Sequence, residues 1–203
     1  MKTLKKCQLE DLKKEMLMLN CCELLSVIGG DRYIFNKEGV WTDTIKDSGP
    51  DIIEVSGATY TLEEGTIFQS GQSVGVAEGK SGIIFENAQK GLFEFFANNT
   101  DVEWGMSYND SGKEKDKPVV ITSNYSSNTC DIVPRSGYNS YVHSHPNSNP
   151  KASPDDSEQA QLYTELSNVA SHYDYDNFYV YTPKKRNGEK YHWVDPTPQT
   201  NPE

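Results

Sequence analysis

Long apolar runs, positive charge and cysteine are all scarce in this sequence of 203 residues. No stretch approaches the roughly 18 consecutive apolar residues of a transmembrane helix, so we expect no membrane span. Lysine and arginine number 19 against 30 aspartate and glutamate residues, which gives a formal net charge of −11. A chain this acidic repels phosphate backbones, so we do not expect nucleic acid as a partner.

Cysteine occurs four times, and Cys7, Cys21 and Cys22 all fall at the start of the chain. Cys130 is therefore the one thiol of the remaining sequence. A single thiol cannot form an internal bridge, which excludes a disulfide scaffold for the main body.

The first thirty residues, MKTLKKCQLEDLKKEMLMLNCCELLSVIGG, form an amphipathic helical pattern that ends in two glycines. Charges alternate through the segment, and it lacks the apolar core and small-residue cleavage site of a Sec signal. It resembles the double-glycine leader of peptides exported by ABC transporters that carry a cysteine-peptidase domain. The places of that pattern are occupied by Leu19, Glu23, Leu24, Val27, Gly29 and Gly30.

This resemblance implies cleavage after Gly30 and secretion from a bacterium. An apolar helix face can dock in a peptidase groove, and Gly29 and Gly30 can thread a narrow cleft because they have no side chains. The sequence departs from the pattern in one respect, since the usual cargo is a small peptide, whereas residues 31–203 follow here. The alternative is an N-terminal helix that packs on the domain and ends at a glycine cap.

Residues 31–62 alternate aromatic or β-branched residues with polar ones, and we predict short strands at about 32–36, 39–45 and 51–55. The glycine-rich stretch 65–82 has little pattern and is the best candidate for a junction. We therefore divide the chain into a leader at 1–30, a β ribbon or connector at 31–80, a main domain at 81–195 and a flexible tail at 196–203.

The main domain begins with apolar residues at helical spacing over 81–98, where Ser81 can act as the cap. Strands are predicted at 101–108 and 117–124, followed by strands in TCDIVP and YNSYVHSH, a helix from Ser153 onward, and strands in NFYVYTP and KYHWVDP. This order predicts an α/β fold in which a mixed β-sheet is sandwiched by helices.

The stretch HSHPNSNPKASPDD, residues 143–156, carries the chemistry. Side chains two residues apart in a strand share a face, so His143 and His145 can present two imidazoles side by side while Ser144 points away. Ser153 and the proline after it open a helix, and Asp156 in the first turn can supply a carboxylate. Three such ligands suit a zinc site that keeps one position for water.

The same stretch resembles the JAMM/MPN metalloproteases, whose pattern is an upstream Glu, then His-x-His-Pro, then Ser-x-x-Asp. His143, His145, Pro146, Ser153 and Asp156 match it with the family's spacing. The resemblance implies a JAMM/MPN-like fold and Zn²⁺ held by His143, His145 and Asp156, with Ser153 holding the water or the oxyanion.

The family also needs a Glu that moves a proton from the water to the leaving amine. Glu103, on the strand predicted after the first helix, fits this role, and Glu94 on that helix is the competitor. Each motif residue also has a structural alternative. Ser153 can be only a helix cap, Asp155 and Asp156 only favourable charges at a helix start, and the histidines only half-exposed strand residues.

Members of the family cleave isopeptide or peptide bonds, and the leader indicates a bacterium. Together these features resemble the JAB-like toxin domains at the ends of exported bacterial effectors. We expect a secreted zinc peptidase or isopeptidase that acts on a protein or peptide, with a peptidase-containing ABC transporter and an immunity protein as partners. The alternatives are a non-toxic processing or cell-wall peptidase and a non-catalytic MPN-like scaffold.

Overall fold

The structure, a computed structural model, describes residues 30–72, 81–110, 118–130, 137–147, 149, 151–169, 177–183 and 190–193. The predicted leader, apart from Gly30, and the predicted tail lie outside these residues. No helix in the described ranges is both long enough and apolar enough to cross a bilayer.

The first four strands form a separate sheet, here called the ribbon sheet. They are β1 Asp31–Phe35, β2 Trp41–Lys46, β3 Ile52–Val55 and β4 Ala58–Thr61, in the order β2-β1-β3-β4. β1 and β3 run parallel, and the other neighbours are antiparallel. The three predicted strands of this region are confirmed, and β4 is an addition. Ser56 and Gly57 both have positive φ, which makes the tight turn between β3 and β4 possible.

The other seven strands in the described part of the chain form the main sheet, in the order β11-β10-β9-β7-β8-β6-β5. These strands are β5 Ile67–Gln72, β6 Ser81–Ala88, β7 Gly105–Tyr108, β8 Val119–Ser123, β9 Ser140–Ser144, β10 Asn177–Thr182 and β11 Lys190–Trp193. Helix α1, Lys90–Asn99, connects β6 to β7, and helix α2, Pro154–Val169, lies between β9 and β10. β9 and β10 are parallel, so a crossover such as α2 has to join them.

The prediction of one helix over 81–98 is wrong in its first half, because residues 81–88 form β6 and only 90–99 are helical. Ile83 and Phe85 face the principal core, whereas Ile84 belongs to a small cluster on the opposite face. A strand buried on both faces is a continuous apolar run, which resembles a buried helical segment in sequence. β5 likewise lies inside the predicted junction at 65–82 and pairs with β6.

Two smaller predictions also need correction. The strand predicted at 101–108 begins only at Gly105, so Glu103 lies just before β7. In the predicted strand TCDIVP, Cys130 is buried but not in a strand, and residues 131–136 lie outside the described part.

The principal hydrophobic core contains residues of both sheets and of α1. Phe35 of the ribbon sheet packs 5.2 Å from Phe96 of α1 between ring centroids, and Phe96 stacks on Trp104 at 4.0 Å. Ile53 and Val55 of β3 belong to the same buried cluster. This packing fixes Trp104, and with it the chain segment that carries Glu103, against the core.

The α/β class with mixed β-sheets is confirmed. That helices cover both faces of the sheet stays a prediction, as do the domain boundaries and the helical leader.

Candidate metal centre

His143 and His145 lie at the end of β9, inside the main sheet, and both are buried. His143 is in the strand and His145 follows its last residue, so alternation along the chain places both imidazoles on one face. Their Nε2 atoms are 3.0 Å apart. The prediction that the two rings lie side by side is therefore confirmed.

Asp156 reaches the histidines from the first turn of α2. The helix begins at Pro154, and Ser153 just before it accepts a hydrogen bond from Asp156 N at 3.2 Å. In return, Ser153 N donates to Asp156 Oδ2 at 2.5 Å. This reciprocal pair is the arrangement of a capping box, with aspartate at the third helical position. The cap orients the carboxylate as well as starting the helix.

The three side chains converge on one point. Asp156 Oδ1 lies 3.2 Å from His143 Nε2, and Asp156 Oδ2 lies 3.5 Å from His145 Nε2. One ligand atom from each residue lies within 4.8 Å of the others, so the group could hold a metal ion. Two imidazole nitrogens and a carboxylate oxygen are a common donor set for zinc in catalytic sites.

Electrostatics favour a charged carboxylate at Asp156. Burial alone raises the pKa of Asp156, but hydrogen bonds with His143 and His145 and the bond from Ser153 N outweigh it, so the pKa lies well below its usual range. Asp156 is therefore ionised across the physiological pH range, as a metal ligand has to be.

The backbone around His145 selects the form of the ring that binds metals. His145 Nδ1 lies 2.8 Å from the carbonyl oxygen of Asn149, and a carbonyl can only accept, so Nδ1 carries the hydrogen. In the neutral imidazole, Nε2 then has the lone pair, and it points toward His143 and Asp156. Metal-binding histidines typically donate their second nitrogen to such a partner. The donor set therefore fits a metal ion.

Burial and the neighbouring carboxylates act in opposite directions on His145. Burial lowers the pKa of His145, but its bonds with Asp156 and Asn149 and the charges of Asp156 and Glu103 raise it above the ordinary value. The ring therefore lies in a strongly negative environment, which also favours a cation between these side chains.

Glu103 lies opposite His145 on the neighbouring chain segment of the main sheet. β7 and β9 are antiparallel with Gly105 opposite His143, and continuing this register places residue 103 opposite residue 145. Glu103 is buried, and burial raises its pKa to about 7, while the charge of His145 opposes the shift and that of Asp156 adds to it. A carboxyl group with this pKa can both accept and release a proton near neutral pH.

The competitor Glu94 lies on α1, where its charge acts on Tyr60. The glutamate whose charge acts on His145 is Glu103. Asp155, also in the first turn of α2, is exposed, and Gly29 lies outside the described residues. Of the two histidines outside the motif, His192 of β11 lies 3.2 Å from Thr182 Oγ1, and His172 lies outside the described residues. Gly30 is described and lies beside β1, in the ribbon sheet.

Ser144 and Tyr181 fix the chain segments that carry His143, His145 and Glu103 relative to one another. The sequence did not indicate this role for either residue. Ser144 N donates to Trp104 O at 2.8 Å, and Trp104 N donates to Ser144 Oγ at 3.0 Å. His145 N donates to Tyr181 O of β10 at 3.0 Å. The position of Ser144 between two histidines was visible, but its partner depends on which strands pair.

The backbone of Glu103 is held from the other side as well. Glu103 N donates to Ser126 O at 2.7 Å, and Glu103 O accepts from Ser123 Oγ at 2.8 Å. Together with the bonds between Trp104 and Ser144, these contacts fix the segment before β7 although it is not part of a regular strand.

Part of the chain matches a known protein family. Residues 85–177 match the family model described as JAB-like toxin 1. No curated protein and no solved structure matches the chain. The matched stretch runs from β6 to the first residue of β10 and includes Glu103, both histidines and Asp156. The chain therefore contains a JAB-like toxin domain at residues 85–177.

Proposed function

We propose that this protein is a zinc-dependent peptidase or isopeptidase of the JAMM type and that it is exported as a toxin or effector. The observation that carries the proposal is the convergence of His143, His145 and Asp156, with the buried carboxyl of Glu103 across the sheet. A non-catalytic scaffold has no need for a complete donor set with an acid–base group beside it.

The chain itself supplies three ligands, His143 Nε2, His145 Nε2 and an oxygen of Asp156. These residues would hold a zinc ion, which when bound would supply a Lewis acid for the scissile carbonyl and for a water molecule. The Asn149 carbonyl keeps the lone pair of His145 on Nε2, and the cap at Ser153 keeps the carboxylate directed toward the histidines.

Glu103 is the proposed acid–base residue. Because its pKa is about 7, it can take a proton from the attacking water and release that proton to the leaving amine without a large cost in either direction. Its backbone bonds Ser123 at the end of β8 and Ser126 in the loop after β8, and the next residue, Trp104, bonds Ser144 of β9. The segment that carries the carboxyl is therefore held in place before substrate arrives.

Ser153 is the proposed residue that steadies the water or the oxyanion of the tetrahedral intermediate. Its Oγ accepts from Asp156 N through a lone pair, which leaves the hydroxyl hydrogen for such a contact. The helix-cap role and the chemical role are therefore compatible in one side chain.

The family described as JAB-like toxin favours a toxin over a non-toxic processing enzyme. We further propose that residues 1–30 are a leader removed after Gly30 by the peptidase domain of an ABC transporter, and that the producing bacterium has an immunity protein. The substrate is a protein or peptide with an amide bond that the site can reach.

Zinc binding is tested by native mass spectrometry of the purified full chain. One zinc per chain is expected, and His145→Ala should lose it. His192→Ala is the matched control, because this histidine lies on β11 with Thr182 as its partner. Absence of stoichiometric zinc from the unchanged protein, or its retention in His145→Ala, would contradict the metal site.

Export is tested separately by mass spectrometry of the protein in the culture supernatant of the producing bacterium. A chain that begins at Asp31 is expected. Recovery of an intact chain that begins at Met1 and stays in the cells would contradict the leader but would leave the metal site standing.

A further inference from the structure

The peptide bond between Gly30 and Asp31 is part of the ribbon sheet. Its carbonyl oxygen, on Gly30, accepts from Asp47 N at 2.9 Å, and its nitrogen, on Asp31, donates to Asp51 Oδ1 at 2.7 Å. Gly30 N also donates to Gly49 O at 2.6 Å. Gly30 thus extends the ladder between β1 and β2 by one residue.

Gly30 is buried and closely packed. A Cβ atom there would overlap the carbonyl oxygen of Gly49 and the backbone of Pro50. A peptidase binds its substrate as an extended chain inside a cleft, and the folded ribbon sheet leaves no room around this bond. Cleavage after Gly30 therefore has to take place before this part of the chain folds.

The nitrogen of Asp31 lies among carboxylate oxygens. One of them is Asp51 Oδ1, which accepts the hydrogen bond of this nitrogen. The others belong to the carboxylate of Asp31 itself, whose Oδ2 binds Lys46 Nζ at 2.7 Å. Its Oδ1 is buried and has no hydrogen-bond partner among the described residues. A buried carboxylate oxygen without a donor is costly, so this oxygen indicates a missing cationic or N–H partner.

The charges around this nitrogen are also unbalanced. Lys46 is the cation that binds Asp31, whereas Arg32 is occupied by Asp47 at 3.5 Å and Glu54 at 3.4 Å. Among the described residues, Asp51 and Asp31 together therefore carry one more negative charge than Lys46 offsets.

We propose that Asp51 and the buried oxygen of Asp31 form the receptor for the α-ammonium group that cleavage after Gly30 creates. Hydrolysis of the Gly30–Asp31 amide adds water, so that Gly30 keeps the oxygen as a carboxylate and the Asp31 nitrogen becomes –NH₃⁺ at neutral pH. The inference rests on the proposed removal of the leader, and the receptor deepens that proposal by giving the new terminus a defined place in the fold.

Conversion of the amide to an ammonium strengthens this contact. The neutral N–H bond to Asp51 becomes charge-assisted, and the nitrogen gains two further donors in the same residue whose buried Oδ1 lacks one. The mature chain would then have its first residue fixed on β1 rather than frayed, in contrast to most chain termini. All described strands and helices lie at or beyond Asp31, so the released chain contains all of them and loses only the backbone bonds that Gly30 makes with Asp47 and Gly49.

The test measures the pKa of the α-amine in a chain that begins at Asp31. To obtain this chain, a full-length variant is made in which the recognition sequence of a site-specific protease stands directly before Asp31. The variant is cleaved in urea, and the released chain is then refolded. The α-amine is labelled with ¹³C-methyl groups and titrated by NMR. We expect a pKa at least about one unit above the ordinary value of about 7.7 to 8.0.

Asp51→Asn should return the pKa of the α-amine to the ordinary range. Asp43→Asn, at an exposed position of β2, should leave this pKa raised. An ordinary pKa in the unchanged chain, or equal values with and without Asp51, would overturn the receptor. If Asp51→Asn does not refold, the same titration of the unchanged chain in urea supplies the reference. A supernatant protein that does not begin at Asp31 would overturn the leader instead, so the two failures are distinguishable.

Discussion

Ser144 and Trp104 bind each other through two hydrogen bonds, one between backbone groups at 2.8 Å and one from Trp104 N to Ser144 Oγ at 3.0 Å. Both residues are fully buried. Because they are the neighbours of Glu103 and of the two histidines, this contact joins the proposed acid–base segment to the strand that carries the candidate metal ligands.

Ser144→Ala should lower the free energy of unfolding by about 1 to 3 kcal/mol, because it leaves the buried N–H of Trp104 without an acceptor. Ser140→Ala, at the start of the same strand, is the matched control. Its partners are the half-buried side chains of Asn139 and Asn177, so its loss should be smaller. Urea unfolding measures both changes, and equal losses would contradict the special role of Ser144.

Asp156→Ala should weaken zinc binding on the order of 100-fold or more, since it removes a ligand rather than an outer partner. Asp155→Ala changes the adjacent carboxylate, which is exposed, and should leave the affinity within a few-fold. Competition with a chromogenic chelator measures both affinities. Similar losses of zinc affinity in the two variants would indicate that Asp156 contributes only negative charge at the helix start and is not a ligand.

Glu103→Gln should abolish most of the activity while zinc stays bound. Loss of a general acid–base group typically costs 10²- to 10⁴-fold in rate. Growth inhibition on expression in a susceptible bacterium reports the activity, and native mass spectrometry reports the metal. Glu94→Gln, on α1, is the matched control and should remain as active as the unchanged protein. A fully toxic Glu103→Gln protein would remove Glu103 from the mechanism.

The raised pKa of Glu103 also predicts a pH dependence of stability in the metal-free protein. The folded state keeps the proton up to about pH 7, whereas the unfolded chain releases it near the ordinary pKa of 4.5. The folded state therefore binds more protons in this window, and stability falls as pH rises from about 4.5 to about 7, by at most about 1.4 kcal/mol per pH unit.

Chelator-treated protein and its Glu103→Gln variant are compared by urea unfolding at several pH values. The difference between the two curves should change across this window and level off above pH 7. Parallel curves would show that Glu103 titrates alike in the folded and unfolded states.

Gly105→Ala should destabilise the fold by about 1 to 3 kcal/mol through overpacking. Gly105 lies opposite His143, and a Cβ atom there would meet the hydroxyl of Tyr141 at 2.6 Å and Cys130 Sγ at 2.9 Å. Gly49→Ala is the control, since a Cβ atom at that position has no neighbour within 4 Å. Thermal unfolding compares the two, and a neutral Gly105→Ala would contradict the packing described here.

The candidate ligands were predictable because their geometry is local. Alternation along a strand places His143 and His145 on one face, and a helix start orients Asp156, so a stretch of fourteen residues contains the whole donor set. The carbonyl of Asn149 was not predictable, because any residue type supplies a carbonyl and only the loop conformation directs it to His145.

Glu103 could be proposed from the family pattern, but its place opposite His145 depends on the pairing of β7 with β9, which are distant in sequence. The misassigned strand β6 has a different cause. Ile83, Ile84 and Phe85 are all buried because both faces of this strand are covered, and that removes the alternation by which strands are recognised.

The donor set of His143, His145 and Asp156 belongs to one strand–loop–helix unit, whereas Glu103 comes from a segment forty residues earlier. In the proposed mechanism, affinity for the ion and the capacity for turnover are thus encoded in separate pieces of the gene. In that scheme, a single substitution at position 103 would remove the acid–base group and leave the candidate cation site intact, so a binding protein could arise from such a chain without rebuilding that site.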